Sequence, residues 1–114
     1  MSDVRPMIER PEIVEVAGEA DRASTHDLRD RLDAILARPG ARVVVDLSAA
    51  TFIDSSTLGL LAVSAKRFGP ASRRFAIVCP PGEVRMMFEL TALDRVVPLY
   101  PTRAEALAAI DGAA

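Results

Sequence analysis

The sequence predicts an α/β domain in which a mixed, mostly parallel sheet of about four to five strands packs against about four α-helices. Val43–Leu47 and Phe75–Cys79 are almost wholly apolar, which is typical of strands that are covered on both faces. Segments of helical length separate the apolar runs, as crossovers between parallel strands require. We find no internal repeat or linker in the 114 residues, so we expect a single domain over residues 1–114, frayed at residues 1–4.

The first strands follow from short local patterns. Arg5–Glu9 is predicted to form a short edge strand that Pro6 limits, and Arg10–Glu12 reads as a turn. Ile13–Ala17 is predicted as the next strand. If the two strands pair as a hairpin, the N-terminus covers one edge of the sheet.

The first helix is predicted from its cap and its apolar spacing. Gly18–Asp21 leads out of the preceding strand, and Ser24–Asp27 resembles a capping box with an acidic residue in the first turn. Pro39-Gly40 ends the helix. The residues expected to face inward are Leu28, Leu32, Ile35 and Leu36.

The last third of the chain predicts two more helices and an edge strand. After the connection Gly69–Ser72, the rigid turn Pro80–Gly82 precedes a third helix, with Pro81 at or near its first turn. Val96–Tyr100 is predicted as a short strand that Pro98 places at an edge. The inward residues of the third helix are predicted to be Val84, Met87, Phe88 and Leu90.

The last helix is predicted from a second capping box. Thr102 and Glu105 have the spacing in which the threonine caps the first turn, and Leu107 and Ile110 follow at helical spacing.

A polar corner, Asp54–Thr57, carries the strongest functional signal. It follows the apolar step Thr51–Ile53 and opens a helix that runs to about Phe68. Four side-chain oxygens thus meet a helix N-terminus, where first-turn N–H groups lack partners and anions bind. Capping alone is the alternative explanation, although four consecutive polar residues exceed what one cap needs.

Composition and charge exclude several classes of function. The net charge of −2 and the lack of a Lys/Arg stripe argue against direct nucleic-acid binding. No apolar run reaches membrane-spanning length and no signal-peptide pattern opens the chain, so we expect a cytoplasmic protein without membrane contact. The single cysteine, Cys79, rules out an internal disulfide and is expected in the core.

Catalytic chemistry also lacks its usual residues. The only histidine, His26, is expected to face solvent in the first turn of the first helix, and no Gly-x-Ser-x-Gly elbow is present. No metal-ligand cluster or Gly-rich phosphate loop occurs, so we expect no cofactor and no enzymatic activity. Asp54, a lone carboxylate, either caps the helix or accepts a hydrogen bond from the Ser55 hydroxyl. Met86-Met87 is expected to pack in or beside the core.

The stretch Phe52–Leu60 resembles the signature of STAS domains of the anti-sigma factor antagonist type. The similarity extends over nearly the whole chain. Gly18–Asp21 is similar to the Gly-Glu-Leu-Asp that follows an early strand in this family, and Leu90–Asp94 to the turn after the third helix. The chain departs from the family at Ala20, where Leu is usual, and at Thr57, where Gly is common. It also departs at Ala92, where Gly suits a left-handed helix end.

The resemblance implies a partner-switching regulator. The unphosphorylated chain would bind an anti-sigma factor with serine kinase activity and so free a sigma factor. That kinase would phosphorylate Ser55, and a separate protein phosphatase would reverse the modification. We expect the free chain to be a monomer. The residues that the resemblance assigns to partner binding are Asp21, Asp54, Ser56, Thr57, Leu58 and Gly59.

Two other functions remain open from the sequence. One is a STAS scaffold, or an accessory subunit of a transporter or sensor complex, that docks without phosphorylation. The other is a small-molecule binder at the same helix N-terminus, for which the sequence supplies no recognisable pocket. Asp21 is either a turn residue or part of the partner surface.

Overall fold

The computed structural model describes residues 10–69 and 74–110 as six strands and four α-helices. Four parallel strands form the main sheet in the order β1-β3-β5-β6, and β2 pairs with β4 in a second, two-stranded sheet. In chain order the elements are β1 (Glu12–Glu15), β2 (Gly18–Ala20), α1 (Arg22–Leu36), β3 (Val43–Asp46), β4 (Ala50–Ile53), α2 (Ser55–Phe68), β5 (Phe75–Val78), α3 (Glu83–Leu90), β6 (Leu99–Tyr100) and α4 (Arg103–Ile110).

The two central strands are covered on both faces, as predicted. Every residue of β3 and β5 is buried, and the register pairs Val43 with Phe75. On one face, Val44 and Ala76 pack with Ala106 and other residues of α4. The opposite face carries the larger core, to which α1, α2 and α3 contribute. The apolar composition of β3 and β5 is therefore explained by their position between two helical layers.

The two-stranded sheet was not predicted from the sequence. Gly18–Ala20 was expected only to lead out of the first strand, and Ala50–Ile53 only to form an apolar step. In the structure they pair in parallel, with a register irregularity between Gly18 and Glu19. Strands of three and four residues with partly exposed side chains are too short to show a period of two.

The predicted cap of α1 was wrong by three residues. The helix begins at Arg22, and Asp21 is its N-cap. The Asp21 side chain accepts from the backbone N–H of Ser24 at 3.1 Å, and the Ser24 hydroxyl accepts from the N–H of Asp21 at 2.9 Å. Ser24 is therefore the third helical residue of the capping box, which leaves Asp27 beyond the first turn. The predicted inward face is confirmed, since Leu28, Leu32 and Ile35 are buried and Leu36 packs beside the core.

The start and the inward face of α3 were predicted only in part. Gly82 is the N-cap, so Pro81 lies just before the helix. Phe88 is buried, and Val84 and Met87 pack against the core. Leu90 is 75% exposed, because two helical positions rotate a side chain about 200° away from Phe88. Of the methionine pair, Met87 lies beside the core as expected, whereas Met86 is 51% exposed.

The edge strand is shorter than predicted, but it lies where Pro98 placed it. Leu93–Arg95 forms a 3₁₀ turn, and the N–H groups of Val96 and Val97 bond back to the Leu93 carbonyl. Only Leu99–Tyr100 of the predicted strand therefore pairs with β5. The Pro98 carbonyl accepts from the N–H of Ile77 at 2.9 Å. Thr102 caps α4 as predicted, accepting from the N–H of Glu105 at 3.1 Å. The Arg5–Glu9 strand, its hairpin, the frayed terminus and most of the Gly69–Ser72 connection lie outside the described residues.

A salt bridge ties α4 to the carboxyl ends of two strands. Arg103 Nη2 donates to Asp46 Oδ2 at 2.7 Å and to Glu15 Oε2 at 2.6 Å. Asp46 is only 6% exposed, and its other oxygen accepts from the N–H of Ser48 at 2.8 Å. Burial alone would raise the pKa of Asp46, but the hydrogen bonds from Ser48 and Arg103 outweigh it and hold the pKa below its usual range.

Asp46→Asn is expected to lower the free energy of unfolding at neutral pH by about 1–2 kcal/mol, a value discounted for partial solvent screening. A depressed folded pKa gives stability that is present above the unfolded pKa of about 3.9 and is lost as the pH falls through the folded value. The gap between wild type and variant should therefore close below about pH 4, measured by urea unfolding across pH. Asp33→Asn, which removes an exposed ion pair with Arg67, should change little. A gap that is constant with pH would contradict this role.

The αL position after α3 is occupied by an alanine. Ala92 has φ 61 and ψ 15, the conformation in which a Cβ crowds the following carbonyl oxygen. This is the position at which the sequence departs from the Gly that a left-handed helix end favours.

Ala92→Gly is expected to stabilise the fold by about 0.5–1 kcal/mol. Removing the Cβ relieves about 1–2 kcal/mol of strain, whereas the extra backbone freedom of glycine in the unfolded chain costs about 0.5–1 kcal/mol. Chemical denaturation measures the difference. Ala34→Gly, at an exposed position within α1, is the control and should destabilise by about 1 kcal/mol. Destabilisation by both variants would show that Ala92 is unstrained.

Candidate functional site

The first turns of α1 and α2 lie side by side because the strands that precede them are paired. Ala20 at the end of β2 is the register partner of Ile53 at the end of β4. Each strand is followed at once by an aspartate N-cap, Asp21 for α1 and Asp54 for α2. The N–H of Asp54 donates to the Ala20 carbonyl at 3.1 Å. Two helix N-termini therefore meet at one edge of the molecule.

Asp54 caps α2, which is one of its two predicted roles. Its Oδ1 accepts from the N–H of Thr57 at 3.0 Å, from the Ser56 hydroxyl at 2.8 Å and from the Thr57 hydroxyl at 3.1 Å. These bonds, with the Thr57 N–H contributing most, hold the pKa of Asp54 below its usual range. The carboxylate therefore stays charged at neutral pH. The alternative bond from the Ser55 hydroxyl is absent among the residues described.

A pair of buried hydroxyls joins the two first turns. Thr25 Oγ1 and Thr57 Oγ1 are in direct hydrogen-bond contact, and Thr57 Oγ1 also reaches the Ala20 carbonyl at 3.2 Å. Thr57 is fully buried and Thr25 is 3% exposed. The departure from the family's Gly at Thr57 thus supplies a cross-link between the helices. Sequence analysis missed Thr25, whose signal was its position three residues before Leu28 on the inward face of α1.

Ser55 is presented to solvent as the first residue of α2. Within the described part of the chain its side chain has no hydrogen bond, and Oδ1 of Asp54 accepts from Ser56 and Thr57 instead. The N–H groups of this first turn have no partner in the preceding turn of a helix. The hydroxyl is therefore accessible to a modifying enzyme, and a negative charge placed on it would lie at a helix N-terminus.

The structure divides the other predicted contact residues into two groups. Asp21 and Gly59 are exposed, and Ser56 is half-buried. Thr57 and Leu58 are buried, so their side chains support the first turn of α2 from inside. Sequence analysis missed two exposed apolar neighbours. Val63, 54% exposed, lies on the same side of α2 as Ser55 and Gly59 by its spacing of four, and Phe52, 51% exposed, precedes the corner.

Among the residues described, neither the only histidine of the chain nor a metal-binding group provides Ser55 with a base or a metal ion. The His26 side chain faces solvent as predicted, being 71% exposed, and lies 3.9 Å from Asp30. It belongs to the second turn of α1, whereas the sequence predicted the first turn. No group of three or more His, Cys, Asp or Glu side chains could hold a metal ion in residues 10–69 and 74–110. Cys79 is buried as predicted, and burial raises the pKa of its thiol to about 11. None of the described helices combines the length and apolarity needed to cross a membrane.

Two open clefts lie beside β4 and the start of α3. Their volumes are about 280 and 140 Å³. Both are lined by Thr51, Glu83 and Val84, and neither includes a residue of the corner Asp54–Thr57. Neither of these two clefts therefore offers a ligand site at Ser55.

The fold and the corner match a known family. The sequence matches the STAS domain family over residues 5–106. The chain belongs to this family, and its relatives include anti-sigma factor antagonists.

Three relatives illustrate the likeness. The anti-sigma-F factor antagonist RsfB of Mycobacterium tuberculosis is 28% identical over 100 residues, which cover 88% of this chain and 81% of that protein. The crystal structure of an anti-sigma factor antagonist from Mycobacterium paratuberculosis is 34% identical, with a TM-score of 0.74 over 87% of this chain and 84% of that one. The Bacillus cell fate determinant SpoIIAA in its phosphorylated form, 19% identical with a TM-score of 0.61 over 95% of this chain and 96% of that one, shares the fold.

Thr57→Val is expected to lower the free energy of unfolding by about 1–3 kcal/mol, because it leaves the buried Thr25 hydroxyl without a partner and removes one of the two hydrogen bonds to the Ala20 carbonyl. Thr25→Val should cost less, since Thr57 keeps its bonds to Ala20 and Asp54. The double variant should be more stable than the sum of the single effects by about 0.5 kcal/mol or more. Ser55→Ala is the control and should stay within about 0.5 kcal/mol of wild type. Additive effects in this double-mutant cycle would show that the two hydroxyls do not interact.

Proposed function

We propose that this protein is an anti-sigma factor antagonist that phosphorylation of Ser55 switches off. In the unphosphorylated state it binds an anti-sigma factor with serine kinase activity in the cytoplasm, and a sigma factor is released. The kinase then phosphorylates Ser55, and a protein phosphatase restores the hydroxyl. The free chain acts as a monomer, by binding and not by catalysis. The observation that carries the proposal is an exposed serine hydroxyl at a helix N-terminus, which forms no hydrogen bond with the residues described.

The fold is suited to tolerate this modification. A phosphate on Ser55 would add about −1.5 to −2 charges and three acceptor oxygens. It would lie at the positive end of the α2 dipole, which stabilises anions. Because the Ser55 hydroxyl is exposed and bonds to none of the described residues, its loss breaks no internal contact. The phosphorylated domain should remain folded.

The same charge is unfavourable in an interface. Asp54, the residue before Ser55, is held ionised by its hydrogen bonds, so a phosphate would place two like charges beside each other. A partner that covers the corner must remove water from both charged groups. This is costly, because neither charge gains a partner of opposite sign when it is buried. Moving a complex from mostly bound to mostly free takes about 5.5 kcal/mol, and one buried, unpaired charge supplies energy of that order.

The proposed contact surface is the exposed rim around Ser55. Asp21, Ser56 and Gly59 lie around it, and the half-buried Asp54 joins them. Thr57 and Leu58 act from inside by fixing the first turn of α2. Val63 and Phe52 add exposed apolar area, of the kind that a protein interface buries.

The relatives support the choice of partner. RsfB is named as an antagonist of an anti-sigma-F factor, and the structure from Mycobacterium paratuberculosis is named as an anti-sigma factor antagonist. SpoIIAA has been solved in a phosphorylated form. At 19% identity, that last likeness supports a shared fold, and the phosphorylation of this chain rests on Ser55 itself.

Ser55→Asp is expected to abolish partner binding while shifting the melting temperature by no more than about 3 °C, because the charge lies at a helix N-terminus. The experiment is a pull-down from source-cell lysate with Ser55→Ala, Ser55→Asn and Ser55→Asp as baits. A kinase-like protein should be enriched on the Ala and Asn baits and lost on the Asp bait. Asn matches Asp in size, so it separates charge from shape.

Equal recovery of one partner on all three baits would contradict the switch and would favour a scaffold without phosphorylation. Unfolding of Ser55→Asp, seen as a loss of cooperative melting, would show that the corner serves the core and would also overturn the mechanism.

A further inference from the structure

A group of basic side chains lies at the amino ends of the strands, the edge of the sheet opposite to Ser55. We call this group the basic edge; its members are Arg10, Arg31, Arg38, Arg42, Lys66, Arg67 and Arg74. Arg42 and Arg74 directly precede β3 and β5. The N–H of Val43 donates to the Arg74 carbonyl at 2.8 Å, and the N–H of Glu12 donates to the Arg42 carbonyl at 2.9 Å. The sheet register therefore brings these positions together.

Local contacts hold the rest of the basic edge in place. Arg31, in the second half of α1, and Arg38, which follows the helix, line an open cleft of about 310 Å³ together with Glu12. Arg74 Nε donates to the Ala41 carbonyl at 3.0 Å, and its guanidinium lies 6.0 Å from the centre of the Phe68 ring. Phe68 ends α2, which places Lys66 and Arg67 beside the same edge.

Among the residues that the structure describes, two cations of the basic edge pair with carboxylates and two others, Arg10 and Arg31, do not. Glu12 pairs with Arg38 at 3.1 Å and Asp33 with Arg67 at 2.7 Å. Arg10 and Arg31 are exposed and form no ion pair with any residue that the structure describes. Exposed guanidinium groups without partners remain available to carboxylates from outside.

The opposite edge is acidic, so the net charge of −2 hides a separation of charge. Arg103 at that edge is engaged by Glu15 and Asp46, and the remaining acidic groups outnumber Arg22 and Arg85. The carboxylates near the carboxyl ends of the strands are Glu15, Glu19, Asp21, Asp46, Asp54 and Glu83.

We propose that the basic edge is a second docking surface, which binds an acidic segment of a protein partner. Six of its seven cations are arginines, whose planar forks match carboxylates. Glu12 and Asp33 already occupy two of them in ion pairs of this type. The arginine forks also match phosphates, but a nucleic acid or an anionic membrane presents an extended negative surface, which the net negative charge of the chain opposes more strongly than it opposes a short acidic segment.

This surface extends the proposed function without resting on it. It lies at the amino ends of the strands, whereas Ser55 follows the carboxyl end of β4. An acidic segment bound here leaves the corner free, so a partner at Ser55 and a partner at the basic edge bind at the same time. Phosphorylation of Ser55 should therefore leave the affinity of the basic edge unchanged.

Fluorescence anisotropy with a labelled oligoglutamate peptide tests the proposal on the full chain. The wild type is expected to bind the peptide, and the affinity should fall as salt is raised. The double variant Arg10→Glu/Arg31→Glu should bind about tenfold more weakly, because it reverses two exposed charges that make no internal ion pair. Arg22→Glu, which makes the same kind of charge reversal at the opposite edge, should stay within about twofold of wild type.

Three results would overturn the proposal. Equal weakening by Arg22→Glu would show an unspecific attraction to the whole molecule. Tighter binding of a DNA duplex or of phosphatidylglycerol vesicles than of oligoglutamate would assign the edge to another class of partner. Self-association in sedimentation that disappears in Arg10→Glu/Arg31→Glu would assign it to a second copy of this chain. If the double variant melts early, Arg31→Gln removes one charge without reversing it and should still weaken peptide binding.

Discussion

The pairing of β2 with β4 is the constraint on which the functional site depends. The pairing ends at Ala20 and Ile53, and each of the two strands is followed directly by an aspartate that caps a helix. The buried contact between Thr25 and Thr57 joins the two first turns beyond the end of the sheet. The exposed Ser55 is therefore carried by a rigid base of main-chain and hydroxyl bonds, which is what a surface needs if modification is to change binding and not folding.

Long apolar elements were predictable from the sequence because buried strands and helix faces are rich in apolar residues. The strands around Val44 and Ala76 and the helix that follows Asp54 lie where their patterns placed them. Shorter elements contain too few buried residues to form such a pattern, so the strand Gly18–Ala20 was missed. Leu90 shows a related limit, since apolar character alone does not say on which side of a short helix a residue lies.

At the site, residue types were predictable and their tertiary partners were not. Asp54 as a cap and Ser55 as an exposed hydroxyl follow from local sequence. The roles of Asp21 and Thr25 depend on a parallel pairing between segments about thirty residues apart, which one sequence does not reveal. The separation of acidic and basic edges was hidden for the same reason, because the arginines are scattered along the chain and meet only in the folded sheet.

Phosphopeptide mapping after incubation of the purified chain with the captured anti-sigma factor, Mg²⁺ and ATP tests the central claim most directly. The account predicts phosphate on Ser55, none on Ser56 or Thr57, and none in the Ser55→Ala variant. The phosphorylated protein should then no longer bind the kinase while keeping its cooperative melting. Phosphate on another residue with Ser55 unmodified, or undiminished binding after Ser55 is fully phosphorylated, would contradict the account.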